Sequence, residues 1–424
     1  MFASNLIVGA LWGLGSILWV EFVRDGYHAL SHQWTPLYRL HSYHHRVFRK
    51  DLTVISDDIY RQAHWYNDVP EATVMLLLSG VPVWLSQQLN VPNVAWLGAA
   101  YTLVFMAGAI ARGLGIAGAH ELTDETHRPG PFPAPPVPWF VNRAYHWRHH
   151  FDSQTAYYSG VFTFADKLMG TALSLKGKRV AVTGASGTMG RALLRQLQAR
   201  GAKPIALTSG TEPIVLEPGA KPIETIQWQL EREAEAIAAI SRVDILILNH
   251  GVNVHGDRSV AGIEHSFAVN TFSSWRLLEA FLGTVQSNRD MACKEVWVNT
   301  SEAEVSPAIS PLYELSKRVL GNLVTLRRLD APCVIRKIIL GPFKSNLNPI
   351  GVMDAGWVAK QVVNLAVRDA RNIIVTVNPL TYLAFPIQEF CTATYYRWFS
   401  QPTVAAIAPE LAAEPEPSKT HSAP

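Results

Sequence analysis

From Ala72 to Ala111 the chain carries no charged side chain. Read as one helix, that stretch would run about 60 Å, twice the ~30 Å hydrocarbon thickness of a bilayer. Gln87, Gln88, Asn90, Pro92 and Asn93 interrupt it near the middle, so the pattern predicts a hairpin of two membrane helices joined by a polar turn. Leu6 to Val20 is a second apolar run, with Trp12 and Trp19 inside it. No basic segment precedes it and no small-x-small cleavage site follows, which argues for a membrane helix over a removable leader; a buried or interfacial helix is the alternative. Arg39, Arg46, Arg49 and Lys50 follow, and such basic excess marks a cytoplasmic flank. Both ends of the hairpin then return to that side.

From about Ser174 the texture changes. A β-branched run at Val180 to Thr183 is followed by short apolar runs at Asp244 to Asn249, Val296 to Asn299 and Val334 to Leu340, each preceded by a helical stretch. Buried parallel strands joined by crossover helices read this way. The expected architecture is an α-helical membrane domain with a histidine-rich cytoplasmic cap (1–172), then an α/β Rossmann-type doubly wound parallel sheet domain (173–378). An aromatic segment (379–400) either caps the sheet or lies at the membrane interface. The Ala-, Pro- and Glu-rich end (401–424) reads as a disordered tail.

Composition sharpens this outline. Charged residues make up 17% of the 424 and apolar ones 48%, against about 25% charged in ordinary soluble domains. That excludes a disordered chain. A net charge of +3 supplies no field for nucleic acid. Three cysteines, Cys293, Cys333 and Cys391, form neither a disulfide framework nor a metal-type spacing.

Eleven of the fifteen histidines precede residue 151. They fall into His28-Ala-Leu-Ser-His32, His41-Ser-Tyr-His44-His45 and His146-Trp-Arg-His149-His150. Spacings of three and four bring side chains to one helix face, so each H-x-x-H-H triplet is expected to present three imidazoles together, ligands suited to iron, zinc or copper. With Phe162-Thr-Phe-Ala-Asp166-Lys-Leu-Met-Gly170-Thr171 after the last cluster, residues 1–172 resemble the membrane fatty acid hydroxylase/sterol desaturase family, Ala165 and Met169 departing from its W-D-x-x-F-G-T ending. The resemblance implies two irons that activate O₂, held by His28, His32, His41, His44, His45, His146, His149 and His150, with His120 and His127 supplying a further cluster. Their separation of seven is wider than the family's H-x-x-x-H. His64 sits outside the pattern, in a packed or supporting role.

Thr183-Gly184-Ala-Ser186-Gly187-Thr-Met189-Gly190 follows a strand and opens a helix. Glycines there let backbone N–H groups approach a pyrophosphate. Asn249-His-Gly251, Asn270 and Tyr313-Glu-Leu-Ser-Lys317 follow in order, and together they resemble the short-chain dehydrogenase/reductase family over about 176–345. The resemblance implies Tyr313 as acid/base, Lys317 favouring its ionised form and bonding the nicotinamide ribose, and Asn270 holding a relay water. Ser301, or alternatively Thr300, would orient the substrate oxygen. The second strand ends at Thr208-Ser209 with no carboxylate to repel a 2′-phosphate, which leans to NADP over NAD.

The order of the halves resembles bifunctional sterol desaturase/short-chain dehydrogenase proteins of cyanobacterial type. The expected function is di-iron, O₂-dependent hydroxylation or desaturation of a lipid, coupled to NAD(P)-linked alcohol/carbonyl chemistry, both sites facing one pool of product. Sterol, fatty acid, aldehyde and carotenoid substrates stay open. A separate ferredoxin- or cytochrome-type electron donor is implied, since the chain has no haem or ferredoxin cysteine motif. The alternative is a membrane-anchored short-chain dehydrogenase with a structural or inactive metal site.

Overall fold

The computed structural model describes residues 2–92, 94–230 and 232–401. The tail expected over 401–424 therefore lies, beyond Gln401, outside the described residues. The first half is helical: α1 (Phe2–Ser31), α2 (Thr35–His45), α3 (Asp57–Gln88), α4 (Leu97–Gly113) and α5 (Arg143–Phe151). Among the described residues two stretches, Asn5–Ser31 and Asp57–Gln88, are long and apolar enough to cross a membrane, whereas α4 is shorter at 17 residues. The first arm of the hairpin thus begins at Asp57, not Ala72. Its charges do not end the helix because they are internally paired: Asp68 bonds His64 at 2.6 Å and Arg112 of α4 at 3.1 Å. α1 and α4 pack so closely that a Cβ on Gly98 would lie 2.6 Å from the Ser16 carbonyl oxygen, a contact open only to glycine.

The second half is a parallel sheet of seven strands: β1 (Arg179–Thr183), β2 (Lys203–Thr208), β3 (Glu224–Gln227), β4 (Ile245–Leu248), β5 (Glu295–Asn299), β6 (Val334–Leu340) and β7 (Asn372–Val375), in the order 3-2-1-4-5-6-7. The β-branched and leucine-rich strands are buried on both faces, beneath two apolar layers. The chain winds outward in both directions from β1, so the crevice for a ligand opens at the carboxyl ends of β1 and β4. α6 (Thr188–Ala199) follows β1, and α7 (Pro311–Arg327) precedes β6. α8 (Thr381–Phe399) packs along α7, with Phe385 buried.

The halves meet at the amino ends of the strands. Arg148 of α5 is buried and bonds the Ala292 carbonyl and the Glu295 carboxylate at the start of β5. Asn288 accepts from the Phe132 amide at 2.9 Å, and Arg371, just ahead of β7, donates to the Pro136 carbonyl at 2.8 Å. Six residues of extended chain separate Glu295 from Ser301, about 20 Å at 3.3 Å per residue. The histidines and the ligand crevice consequently sit at opposite ends of the sheet. The expectation that both face one pool is corrected by this direction of the strands.

Candidate functional site

At the end of β1, Gly184 adopts φ +61, and a Cβ there would meet the His250 backbone at 2.8 Å. A Cβ on Gly190 would strike the Gly184 carbonyl oxygen and lie 2.7 Å from the Ala185 Cα. Gly187 caps α6, with Met189 buried in its first turn, so the helix N-terminus opens towards the crevice. Thr183 accepts from the Asn249 amide at 2.9 Å, and Asn249 accepts from the Asn299 side chain at 3.0 Å, tying the ends of β1, β4 and β5 together. Ser186 bonds Thr208 at 2.8 Å, and Ser209 beside it is exposed. Gly251 lies against Asn270 and Lys317. This cradle, short of Cβ atoms where a pyrophosphate would press, fits a dinucleotide, and the site is of the NAD(P)-binding type.

Tyr313 and Lys317 stand one turn apart on α7. Ser301, buried past the end of β5, accepts from the Ala303 amide at 3.1 Å and lies beside the Tyr313 phenol. The Thr300 hydroxyl instead donates to the Ile338 carbonyl at 3.3 Å, which separates the two hydroxyl candidates. Lys317 Nζ donates to the Asn299 carbonyl at 2.9 Å and lies 5.9 Å from the Tyr313 ring centre. Burial pushes the Lys317 ammonium down to about 8, with Glu304 opposing. Burial likewise raises the Tyr313 phenol, and the Ser301 bond opposes it. The Asn270 carboxamide is committed to the amide and carbonyl of Val252, at 2.8 and 2.9 Å, and to Ser316 at 3.0 Å. Its side chain braces the loop after β4 against α7.

The histidines converge in two groups, each with its nearest ring nitrogens within 4.8 Å of one another: His28, His32, His41, His45 and His149, and separately His44, His127, His146 and His150. Neither H-x-x-H-H triplet stays together, because successive helical residues point about 100° apart. His44 and His45 go to different groups, as do His149 and His150. His120 belongs to neither; its Nδ1 bonds the Tyr60 hydroxyl at 2.8 Å. His64 also lies outside, bonded to Asp68.

The tautomers are set by outer partners. His28 Nδ1 donates to the Tyr158 carbonyl at 2.7 Å, His149 Nδ1 to the Ala156 carbonyl at 2.9 Å, and His127 Nδ1 to Asp124 at 2.5 Å. Burial lowers the basicity of His146 and His149 well below the usual imidazole value, with neighbouring histidines adding to the effect. Neutral rings protonated on Nδ1 present lone pairs on Nε2. Yet His28 Nε2 lies 2.9 Å from His149 Nε2, and His127 Nε2 lies 2.9 Å from His146 Nε2. Facing lone pairs repel unless a cation sits between them, and 2.9–3.3 Å is the edge of a coordination shell with bonds of about 2.1 Å. Each group therefore has the donor set and spacing of a transition-metal site. Sequence reasoning missed Asn67, which bonds His41, and Asp124 and Arg148; Asp124 three before His127 and Arg148 inside the last triplet were the available signals.

Residues 180–308 match the NAD dependent epimerase/dehydratase family. A short-chain dehydrogenase/reductase, dpchH of Colletotrichum higginsianum, is 28% identical over 38% of this chain and 42% of its own. A short chain dehydrogenase from Burkholderia cenocepacia, solved with NADP, aligns over 54% of this chain and 100% of its own at 18% identity and a TM-score of 0.43. The monoglucosyldiacylglycerol epimerase of Synechocystis is 57% identical over 407 residues, 94% of this chain and 99% of that protein. That match overturns the expected di-iron, O₂-dependent hydroxylation or desaturation coupled to alcohol oxidation. A relative this similar across the histidine-bearing half as well as the sheet is named an epimerase, and epimerisation inverts a stereocentre without net oxidation. Identity of 57% across nearly the full length of both proteins is more than a shared domain: the chain belongs to the family of the Synechocystis monoglucosyldiacylglycerol epimerase.

Proposed function

We propose that this protein is an NAD(P)-dependent epimerase acting on the sugar headgroup of a glycosyl diacylglycerol in a membrane, with NADP preferred. The observation that carries the reading is the full-length identity to an epimerase of such a lipid. When bound, the nicotinamide supplies a hydride acceptor that also returns the hydride. Tyr313, as phenolate, takes the proton of a secondary sugar hydroxyl as the carbon is oxidised to a ketone. It gives that proton back when the ketone, turned to its other face, is reduced again. Lys317 favours the phenolate through its charge, and Ser301 holds the reacting oxygen beside Tyr313. Atoms and electrons balance within the cycle, so neither O₂ nor an external electron donor enters. α1 and α3 would span the bilayer and α4, packed against both, would return the chain, putting the sheet on the cytoplasmic side. Membranes carrying the protein, incubated with monoglucosyldiacylglycerol, should accumulate the epimeric lipid by chromatography, and Tyr313→Phe should lower this by about 10²–10⁴-fold. Lipid left unchanged by the parent protein would overturn the reading.

The two histidine groups are read as structural metal sites, supported by the facing Nε2 lone pairs. A divalent transition ion in each would replace their repulsion with bonds and stiffen the cap on which the sheet rests. Elemental analysis of the purified protein should find bound metal, and chelation should lower its unfolding temperature. Metal-free protein with unchanged unfolding would refute this.

A further inference from the structure

α8 enters the structure at the carboxyl end of the sheet and leaves past the amino end. Thr381 donates to Glu302 beside Thr376, just beyond β7. Two turns on, Glu389 bonds Lys337 of β6 at 2.9 Å and Arg328 at 2.8 Å. Arg328 in turn donates to the Arg371 carbonyl, immediately before β7, at 2.6 Å. The first half of the helix thus traverses the sheet and is held there by buried ion pairs. Phe390 to Phe399 then carry the helix about 15 Å further, on the side where α5 and the cap lie.

That projecting half is apolar on its outer face. Phe390, Cys391, Tyr395, Trp398 and Phe399 are all exposed there, Trp398 at 75%, and Leu383 and Ile387 extend the same exposed apolar row back along the first half. The cap continues the same surface. Arg371 reaches the Pro136 carbonyl, and Arg368 the Lys167 carbonyl. Lys167 lies 3.9 Å over the ring of Trp139. Trp139, Phe140 and Leu168 are exposed there. Phe162 and Phe164 then line one small cleft with Leu18 and Phe22 of α1, whose outward face is the apolar one of a membrane-length helix. One apolar surface therefore runs from α1 across the cap to the base of β7, the side on which α8 projects.

We propose that the carboxy-terminal half of α8, with Trp139, Phe140 and Leu168 of the cap, lies in the interface of the lipid bilayer that α1 and α3 span. The proposal rests on the reading of those two helices as spans. Tyrosine and tryptophan beside Arg397 suit the headgroup layer, where rings meet acyl chains and polar tips stay wet. The sheet is then tied to the membrane twice, through α5 and through α8, so the Tyr313 crevice keeps a fixed orientation to the lipid surface.

Cys391 is the natural probe, since Cys293 and Cys333 are buried. The full chain is labelled at Cys391 with an environment-sensitive fluorophore and reconstituted in phosphatidylcholine–phosphatidylglycerol vesicles. A second sample carries Cys391→Ser and Glu217→Cys, exposed in the loop leading into the opposite edge strand. A lipid bearing a nitroxide high on its acyl chain should quench position 391 about fivefold more than position 217, with aqueous iodide giving the reverse order, as for a helix seated ~5–10 Å into the headgroup boundary. Equal iodide quenching at both positions would overturn the proposal. Protection of 391 from both quenchers would overturn it in favour of a protein contact, such as a second copy. A chain washed from the vesicles by alkali would overturn the reading of the spans, and the proposal with it.

Discussion

Replacing Glu295 by Gln removes one carboxylate from a fully buried network that joins the histidine-bearing helix to the sheet. Glu295 bonds Arg336 at 2.8 and 2.9 Å and Arg148 at 3.3 Å, and Arg336 also pairs with Asp369 at 2.9 Å. Burial alone would raise the Glu295 carboxyl, but Arg336 and then Arg148 hold it down to about 2, from 4.5. At about 1.4 kcal/mol for each tenfold change in proton affinity, that depression makes the ionised carboxylate worth about 3.5 kcal/mol. Because the folded value is depressed, that stability is complete above pH 4.5 and lost as pH falls towards 2. Breaking buried pairs in general costs about 3–5 kcal/mol, since the partner is stranded. For a half of about 200 residues, about 3.5 kcal/mol lowers the unfolding midpoint by about 7–14 °C. The assay is thermal unfolding of the full chain in detergent near neutral pH at one scan rate. Arg148→Met combined with Glu295→Gln should destabilise less than the sum of the singles, because the two share one interaction. A Glu295→Gln shift below about 2 °C would refute the magnitude, and strict additivity would refute the link between the halves.

The cation beside Tyr313 is lost as pH rises through about 8, the value to which burial pushes Lys317, so the epimerisation rate should fall on the alkaline side with a midpoint there; a rate still climbing at about pH 9.5 would refute this. Gly190→Val drives a side chain into the backbone of Gly184 and Ala185 and should weaken NAD(P) binding at least about tenfold in a fluorescence titration, an unchanged Kd being the contrary result. Ser209→Asp places a carboxylate at the end of β2 and should move preference from NADP to NAD by about tenfold or more; parent protein that binds both equally would count against the reading of that strand end.

Features carried by local spacing were legible without the fold. The run at Asp244 to Asn249 appears as a strand over Ile245–Leu248, because a buried parallel strand is apolar on both faces and needs no partner to be recognised. Gly184, Gly187 and Gly190 occupy the turn their spacing suggested, and Tyr313 and Lys317 share one side of α7. The start of α3 was not legible, since the Asp68 carboxylate inside it is paired with Arg112, distant in sequence, as well as with His64. Nor was the place of His120, which a bond to Tyr60 draws away from both histidine groups.

By itself the sequence determined which segments are apolar enough to span or to form a sheet, and where the histidines and the glycine turn cluster, because periodicity and composition act over a few residues. Tertiary structure decided how the histidines divide, since imidazoles from α1, α2 and α5 meet only when those helices pack. It also decided that the histidine groups and the dinucleotide crevice lie at opposite ends of the strands, because Arg148 docks on the amino end of β5 while Tyr313 and Ser301 gather at the other.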